Sequence, residues 1–304
     1  MNGTLKAFVK RLEEAGELVR TDYGDIASDG RASLAGGQQY PVLVDMFGSE
    51  KRVSLALGVE AVEEIPSILK EFRKLMPESC EGLAKRIRLM SELWRFSDLM
   101  PHSVRKHAPC QDSVQYIAKL DMLPTPKMGG EPHGTIEAGL FTTADPKTGA
   151  LEMCPSRLRI IGDDMTDLDL AGWSKVPQYV QDCTHRLPVA VCLGGDPIYS
   201  ILASVPLPDG IDRYMLAGFL RGKAVELAAC FTQELMVPAD CDFVLEGYIQ
   251  KSEGDKFHVS CITHRSDAIF PASCSNAERE FLAKAARALV SDPAELCRDW
   301  ISRL

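Results

Sequence analysis

The sequence predicts an α+β protein: an α/β front, a β-rich centre and a helix near the C-terminal end. Three observations carry this. Leu5, Phe8, Val9 and Leu12 recur at helical spacing in the opening residues. Beyond about residue 112, short runs rich in β-branched residues alternate with Gly, Pro and Asp turn clusters. The 304 residues are 45% apolar and 25% charged, which suits a soluble chain with a core of one large domain or two ordinary ones.

Taken in order, residues 3–20 read as an amphipathic helix that Gly16 stops, and 24–39, rich in Gly, Ser, Asp and Gln, as a loop. The short apolar runs 41–47 and 52–57 read as strands. Residues 60–75 return to helical spacing, interrupted by Pro66, and 83–94 form a further helical run. Residues 101–111 are a basic, His-containing connector. Turn clusters follow at 124–133, 145–149, 194–196, 206–212, 238–242 and 251–255. Between them lie the strand-like runs 139–143, 157–161, 188–193, 200–203, 241–246 and 257–263, a spacing expected of a β-barrel or sandwich. Residues 217–220 and 224–228 suit either helix or strand. Residues 276–290 read as a helix capped by Asn276, with Glu278 and Glu280 in its first turn.

Charge and targeting narrow the function. Lys plus Arg number 34 against 43 Asp plus Glu, a net charge of -9, which argues against a nucleic-acid partner. The first twelve residues carry charges where a secretory signal has an apolar run, and no apolar stretch approaches the length of a membrane span. A cytoplasmic protein without a membrane partner is expected. The ten cysteines form no CxxC and read as buried thiols.

The remaining motifs have plain readings. Gly194-Gly195-Asp196-Pro197 follows an apolar strand and reads as a turn, since GxGxxG is absent. Asp163, Asp164, Asp167 and Asp169 lack calcium-loop spacing and read as a solvated acidic loop. On a regular strand His258 and His264 share a face about 20 Å apart, with Cys261 on the other, so the three do not converge on one metal. His133 and His185 are isolated, and no GxSxG elbow occurs.

Longer runs carry a family likeness. LPVAVCLGGDP (187–197), ILASVPLPDGID (201–212), LAGFLRGKAVEL (216–227) and VPADCDFVLEGYI (237–249) closely resemble the UbiD family of prenylated-FMN-dependent decarboxylases. FHVSCITHRSDAIFPA (257–272), LKAFVKRLEEAGELVR (5–20), LALGVE (55–60) and ADPKTG (144–149) fit the same family. The resemblance implies a central split β-barrel of the flavin-reductase type. It divides the chain into a reduced N-terminal α/β region (1–111), the barrel (112–272) and a C-terminal helix remnant (273–304), with front and tail shorter than family members carry.

The resemblance also implies site residues. The family's catalytic Arg falls on Arg157, and its cofactor-lining segment on Ala203, Ser204, Val205 and Pro206. Its Asn, His and Glu metal-ligand positions hold Glu152, Asp169 and Arg213, so no divalent metal is expected. Arg213 is expected to stand in for the metal by pairing with Glu152, Asp169 or both. The family's Glu-Gly-Pro-Phe-Gly-Glu/Asp acid loop is missing, because LEGYI runs through residues 250–256 into FHVS. Glu253 and Asp255 lie in that shortened turn without being its equivalents. Family chemistry requires a carboxylic acid to deliver a proton and an Arg–carboxylate pair to tune it, and of these only Arg157 is matched. The expected function is decarboxylase-like, acting on or binding an aromatic or unsaturated carboxylic acid with prenylated FMN. The alternative is a non-catalytic structural or regulatory subunit of a full-length family member. The expected assembly is a homo-oligomer or such a hetero-complex.

Overall fold

The structure, a computed structural model, describes residues 5–16, 18–22, 42–45, 53–56, 99–104, 106–125, 133–170, 174–204, 212–221 and 223–272. In chain order the elements are α1 (Leu5–Ala15), β1 (Val19–Asp22), β2 (Val42–Asp45), β3 (Val53–Ala56), β4 (His102–Ser103), β5 (Ser113–Gln115), β6 (Thr135–Ala144), β7 (Leu151–Ile160), β8 (Met165–Leu170), α2 (Val176–Asp182), β9 (Arg186–Leu193), α3 (Pro197–Ser204), α4 (Arg213–Arg221), β10 (Glu226–Ala229), β11 (Met236–Pro238), β12 (Phe243–Gln250), β13 (Lys256–His264) and β14 (Phe270–Ala272). The expected helices over 60–75, 83–94 and 276–290 and the loop over 24–39 lie outside the described residues.

Six antiparallel strands close into a barrel in the order β12-β9-β6-β7-β8-β13, with β13 returning to β12 and β5 added at the flank of β13. This is the barrel the resemblance implied. Its interior is apolar: Phe141, Leu158, Val191, Phe243, Leu245 and Phe257 are fully or almost fully buried together. Burying a side chain of this size contributes about 1.5–3 kcal/mol. A second cluster lies where α3 and α4 cover the wall, joining Tyr199, Leu202, Tyr214 and Ala217 to Met153, Ala190, Cys192 and Val244. β9 is thus buried on both faces, Val189 and Val191 inward and Ala190 and Cys192 under helices. That explains its unbroken apolar run, because a strand covered on both sides has no polar face to alternate.

The front is a four-stranded mixed sheet ordered β1-β2-β3-β14, in which β14, from beyond the barrel, pairs with β3. Gly16 ends α1 with φ 74°, a left-handed conformation that glycine adopts without strain, and β1 follows where the helical reading had continued to residue 20. The three-stranded sheet β11-β10-β4 takes up residues 226–229, and 217–220 are helical.

Three expectations are corrected. Residues 200–203 belong to helix α3, not to a strand: a Gly-Gly turn (φ 73° and 82°) redirects the chain and Pro197 opens the helix. The acidic run is not a solvated loop throughout. Asp167 and Asp169 sit on β8, where Asp167 pairs with Arg159, and the carbonyls of Asp163 and Asp164 accept the backbone N–H groups of Leu120 and Val259. Finally, β13 is not regular. Glu246 faces Cys261 while Gly247 faces Val259, which leaves Ser260 as an extra residue in a bulge. The bulge reverses the alternation, so His264 packs on the core residue Phe243 while His258 stacks on the half-buried Tyr248. The two histidines therefore occupy opposite faces.

Candidate functional site

Arg157 lies near the middle of β7, and two neighbouring strands bring carboxylates to it. On β8, Asp169 stands directly across from Arg157. On β6 the register jumps: Ile136 pairs with Leu158 and Gly139 with Ser156, so Glu137 and Ala138 together oppose Arg157. This second bulge aims Glu137 at the guanidinium, whose Nε donates to the carboxylate at 3.0 Å. The Glu137 side chain is 11% exposed and that of Arg157 36%, so the acid is sheltered while the cation keeps an open edge. Gly139 permits the arrangement, since a Cβ there would stand 2.6 Å from Ser156 Oγ. Sequence reasoning missed Glu137. The only trace of it was a carboxylate and a glycine inside one apolar run (IEAG).

The three former ligand positions do not lie level with one another. Glu152 is five residues back along β7 from Arg157, about 16 Å of strand. It accepts the backbone N–H of Lys175 at 3.4 Å, whereas Asp169 is exposed and stands in register with Arg157. Arg213 opens α4, is buried and donates to the carbonyl of Leu202 near the end of α3. Burial pushes its guanidinium down to about 10, and the charge of Glu152 works in the opposite direction. This set does not suit a divalent cation, because a guanidinium has no lone pair to donate. Ala203 is fully buried in the cluster between α3 and the barrel, and Ser204 is the last residue of α3. Val205 and Pro206 lie outside the described residues.

The Gly194–Gly195 turn is tied down by one buried acid, Asp242. Asp242 accepts the N–H of Gly195 at 2.9 Å and that of Ile269 at 3.0 Å. A Cβ at Gly194 would fall 2.1 Å from Asp242 Oδ2. Tyr199 of α3 donates to Asp240 at 3.1 Å. Burial raises both carboxyls to about 6; Asp196 adds to the rise at Asp240, and the two backbone N–H groups oppose it at Asp242. Glu246 accepts from the Phe231 and Thr232 backbones and the Thr232 hydroxyl, so it orders a loop. The β12–β13 turn is short, and Gly254 sits in it at φ 62°. Its Glu253 reaches His258 at 2.5 Å, and the Asp255 carbonyl accepts from Leu168.

A family model described as UbiD: 3-octaprenyl-4-hydroxybenzoate carboxy-lyase Rift-related domain matches residues 102–256. The chain belongs to the UbiD family. Relatives of this UbiD-family chain include uncharacterized proteins of Archaeoglobus fulgidus, 29% identical over 309 residues, and Aquifex aeolicus, 30% identical over 318. Each match takes in 88% of the chain and 63% of the relative, so the chain spans just under two thirds of their length. Among solved structures, an evolved dimeric form of the UbiD-class enzyme HmfF from Pelotomaculum thermopropionicum, in complex with prFMN, superposes with a TM-score of 0.71. It is 18% identical and the match covers 95% of this chain and 71% of that one. The closed form of Sedimentibacter hydroxybenzoicus vanillic acid decarboxylase (ShVdcCD) superposes with a TM-score of 0.68 at 19% identity, covering 93% and 67%. At these identities the superpositions establish a shared fold. No helix among the described residues is long and apolar enough to cross a membrane.

Proposed function

We propose that this UbiD-family chain binds a prenylated flavin and an aromatic or α,β-unsaturated carboxylic acid beside Arg157, as a decarboxylase-type protein of the cytoplasm. The observation that carries this reading is the Arg157–Glu137 pair. The sequence lacks the family's acid loop, yet the β6 bulge delivers a sheltered carboxylate to the guanidinium from another element. The flavin-bound state of HmfF supports the choice of cofactor. Bound there, the cofactor supplies the electron sink for loss of the carboxyl group. Arg157 holds an anionic group with its open edge and keeps Glu137 oriented. Glu137, when protonated, is the group that returns a proton to the carbon that has lost carbon dioxide. By the family resemblance, Ala203 and Ser204 at the end of α3 are the residues that would lie along the cofactor. Arg213, whose charge Glu152 supports, takes the place of a divalent metal. The dimeric form of HmfF supports assembly as an oligomer or with another family member.

The test is co-expression with the prenyltransferase that makes the cofactor, followed by the visible spectrum of the purified chain and carbon dioxide release from a panel of aromatic and acrylic acids. Flavin absorbance and turnover are expected. Glu137→Gln should retain the absorbance and lose turnover about 10²–10⁴-fold, the usual worth of a positioned proton donor. Turnover unchanged in Glu137→Gln would remove the acid from its role. A second reading, a non-catalytic subunit of a full-length family decarboxylase, is favoured by the short β12–β13 turn, whose Glu253 is already engaged by His258. A colourless preparation after co-expression, together with capture of a family decarboxylase, supports that reading instead.

A further inference from the structure

A cavity of about 520 Å³ opens where β9 begins and β12 ends, lined by Thr184, His185, Arg186, Gln250, Lys251 and Ser252. Its lining contains no acidic residue, although the chain as a whole carries a net charge of -9. The two cations are fixed in different ways. Arg186, paired in register with Gln250, holds its guanidinium 4.1 Å from the centre of the Tyr248 ring. Held over the ring, the guanidinium keeps N–H donors for an acceptor. Tyr248 in turn stacks on His258 at 5.2 Å, so this support reaches across three strands. Lys251 Nζ donates to the carbonyls of Gln181 (2.5 Å) and Cys183 (2.9 Å) at the end of α2, which anchors the ammonium and leaves its third proton. The nearest acids in sequence are committed elsewhere, Asp182 to Lys147 at 2.7 Å and Glu253 to His258 at 2.5 Å. Among the described residues no carboxylate is paired with Arg186 or Lys251.

We propose that this cavity is a binding site for the phosphate group of a small, soluble phosphate monoester. A guanidinium, an anchored ammonium and the hydroxyls of Thr184 and Ser252 line the same open hollow, a donor set that suits an oxyanion with several acceptor oxygens better than a two-oxygen carboxylate. The volume exceeds that of a bare phosphate and falls within the range of small-molecule sites, leaving room for the rest of the ester. The site is built from β9, β12 and the end of α2, and it is independent of the Arg157 reading.

The experiment is calorimetric titration of the purified chain, at constant ionic strength, with inorganic phosphate, glycerol 1-phosphate and benzoate. Saturable one-to-one binding of the monoester is expected, tighter than that of inorganic phosphate, and benzoate should not compete. Arg186→Gln and Lys251→Met should each weaken it about tenfold or more, while Arg157→Ala leaves it unchanged. A monoester-induced rise in the melting temperature of the unaltered chain provides a readout that requires no variant to fold. Absence of both saturable heat and a melting shift overturns the proposal, as does binding unchanged in the Arg186→Gln, Lys251→Met double variant. Sedimentation with vesicles containing phosphatidic acid, without any response to the soluble ester, would assign the chemistry to a lipid headgroup and equally overturn it.

Discussion

Asp240 and Asp242, two positions apart in the segment leading into β12, answer differently to one substitution. Asp240 accepts from the Tyr199 hydroxyl and from its own backbone N–H, and an amide oxygen can accept in the same way. Asp240→Asn therefore keeps these contacts and removes a carboxylate that burial and Asp196 make costly to ionise. It is expected to raise stability at pH 7.5 by about 1 kcal/mol and to have little effect at pH 4, read from urea midpoints at the two values. Asp242 takes a backbone N–H on each oxygen, so an amide NH₂ must face one of those donors. Asp242→Asn is expected to cost about 2 kcal/mol or more at both pH values, the worth of stranding a buried donor. A loss of stability in Asp240→Asn equal to that in Asp242→Asn would contradict this account. Neither acid was legible as a buried partner, because its partners lie in α3, the Gly-Gly turn and the approach to β14, far away in sequence. Arg157 was legible through the resemblance, whereas Glu137 depends on a bulge that alternation does not reveal.

Among the elements, the β12–β13 hairpin closes the barrel and depends on one residue without a side chain. A Cβ at Gly247 would stand 1.8 Å from the backbone oxygen of His258, and backbone atoms of a paired strand cannot move aside cheaply. Gly247→Ala is expected to destabilise the chain by about 3 kcal/mol, as overpacking does, with a matching fall in the urea midpoint. A midpoint within about 0.5 kcal/mol of the parent, the scatter of ordinary surface substitutions, would mean that the bulge reshapes freely. The same hairpin shows what sequence reading reaches. The strands around residues 243–250 and 256–264 and the turn between them were legible from apolar runs and from the Ser-Glu-Gly-Asp cluster. The face presented by each histidine was not, because a single extra residue, Ser260, reverses every assignment after it. Helix α3 was misread for a related reason: Ile201, Leu202 and Ala203 suit a strand as well as a helix, and the helix is set by the turn before them and the barrel wall beneath.

For the whole molecule, opposed carboxylate shifts set a pH of greatest stability. Asp240 and Asp242 are raised to about 6, so the stability linked to their protons is complete below the ordinary carboxylate value and is lost as pH rises through 6. Asp267 is held near 2 by hydrogen bonds from Lys6 and Arg265, so its contribution is present above the ordinary value and is lost as pH falls toward 2. Chemical denaturation from pH 3 to 8 should therefore show a maximum between about 4 and 6. A maximum at pH 8 would show that the buried acids do not govern the profile. The pairing of β3 with β14 has a consequence for synthesis. It joins Ser54, Leu55 and Ala56 to Phe270, Pro271 and Ala272, more than 200 residues later. At ~5–20 residues per second, β3 waits roughly 10–40 s for its neighbour to leave the ribosome. By then every strand of the barrel has emerged and can already have paired. Through that interval the nascent chain carries an unpaired parallel edge, open to any passing strand, and a holding chaperone that covers short apolar strand edges would be most needed on the emerging first fifth of this protein.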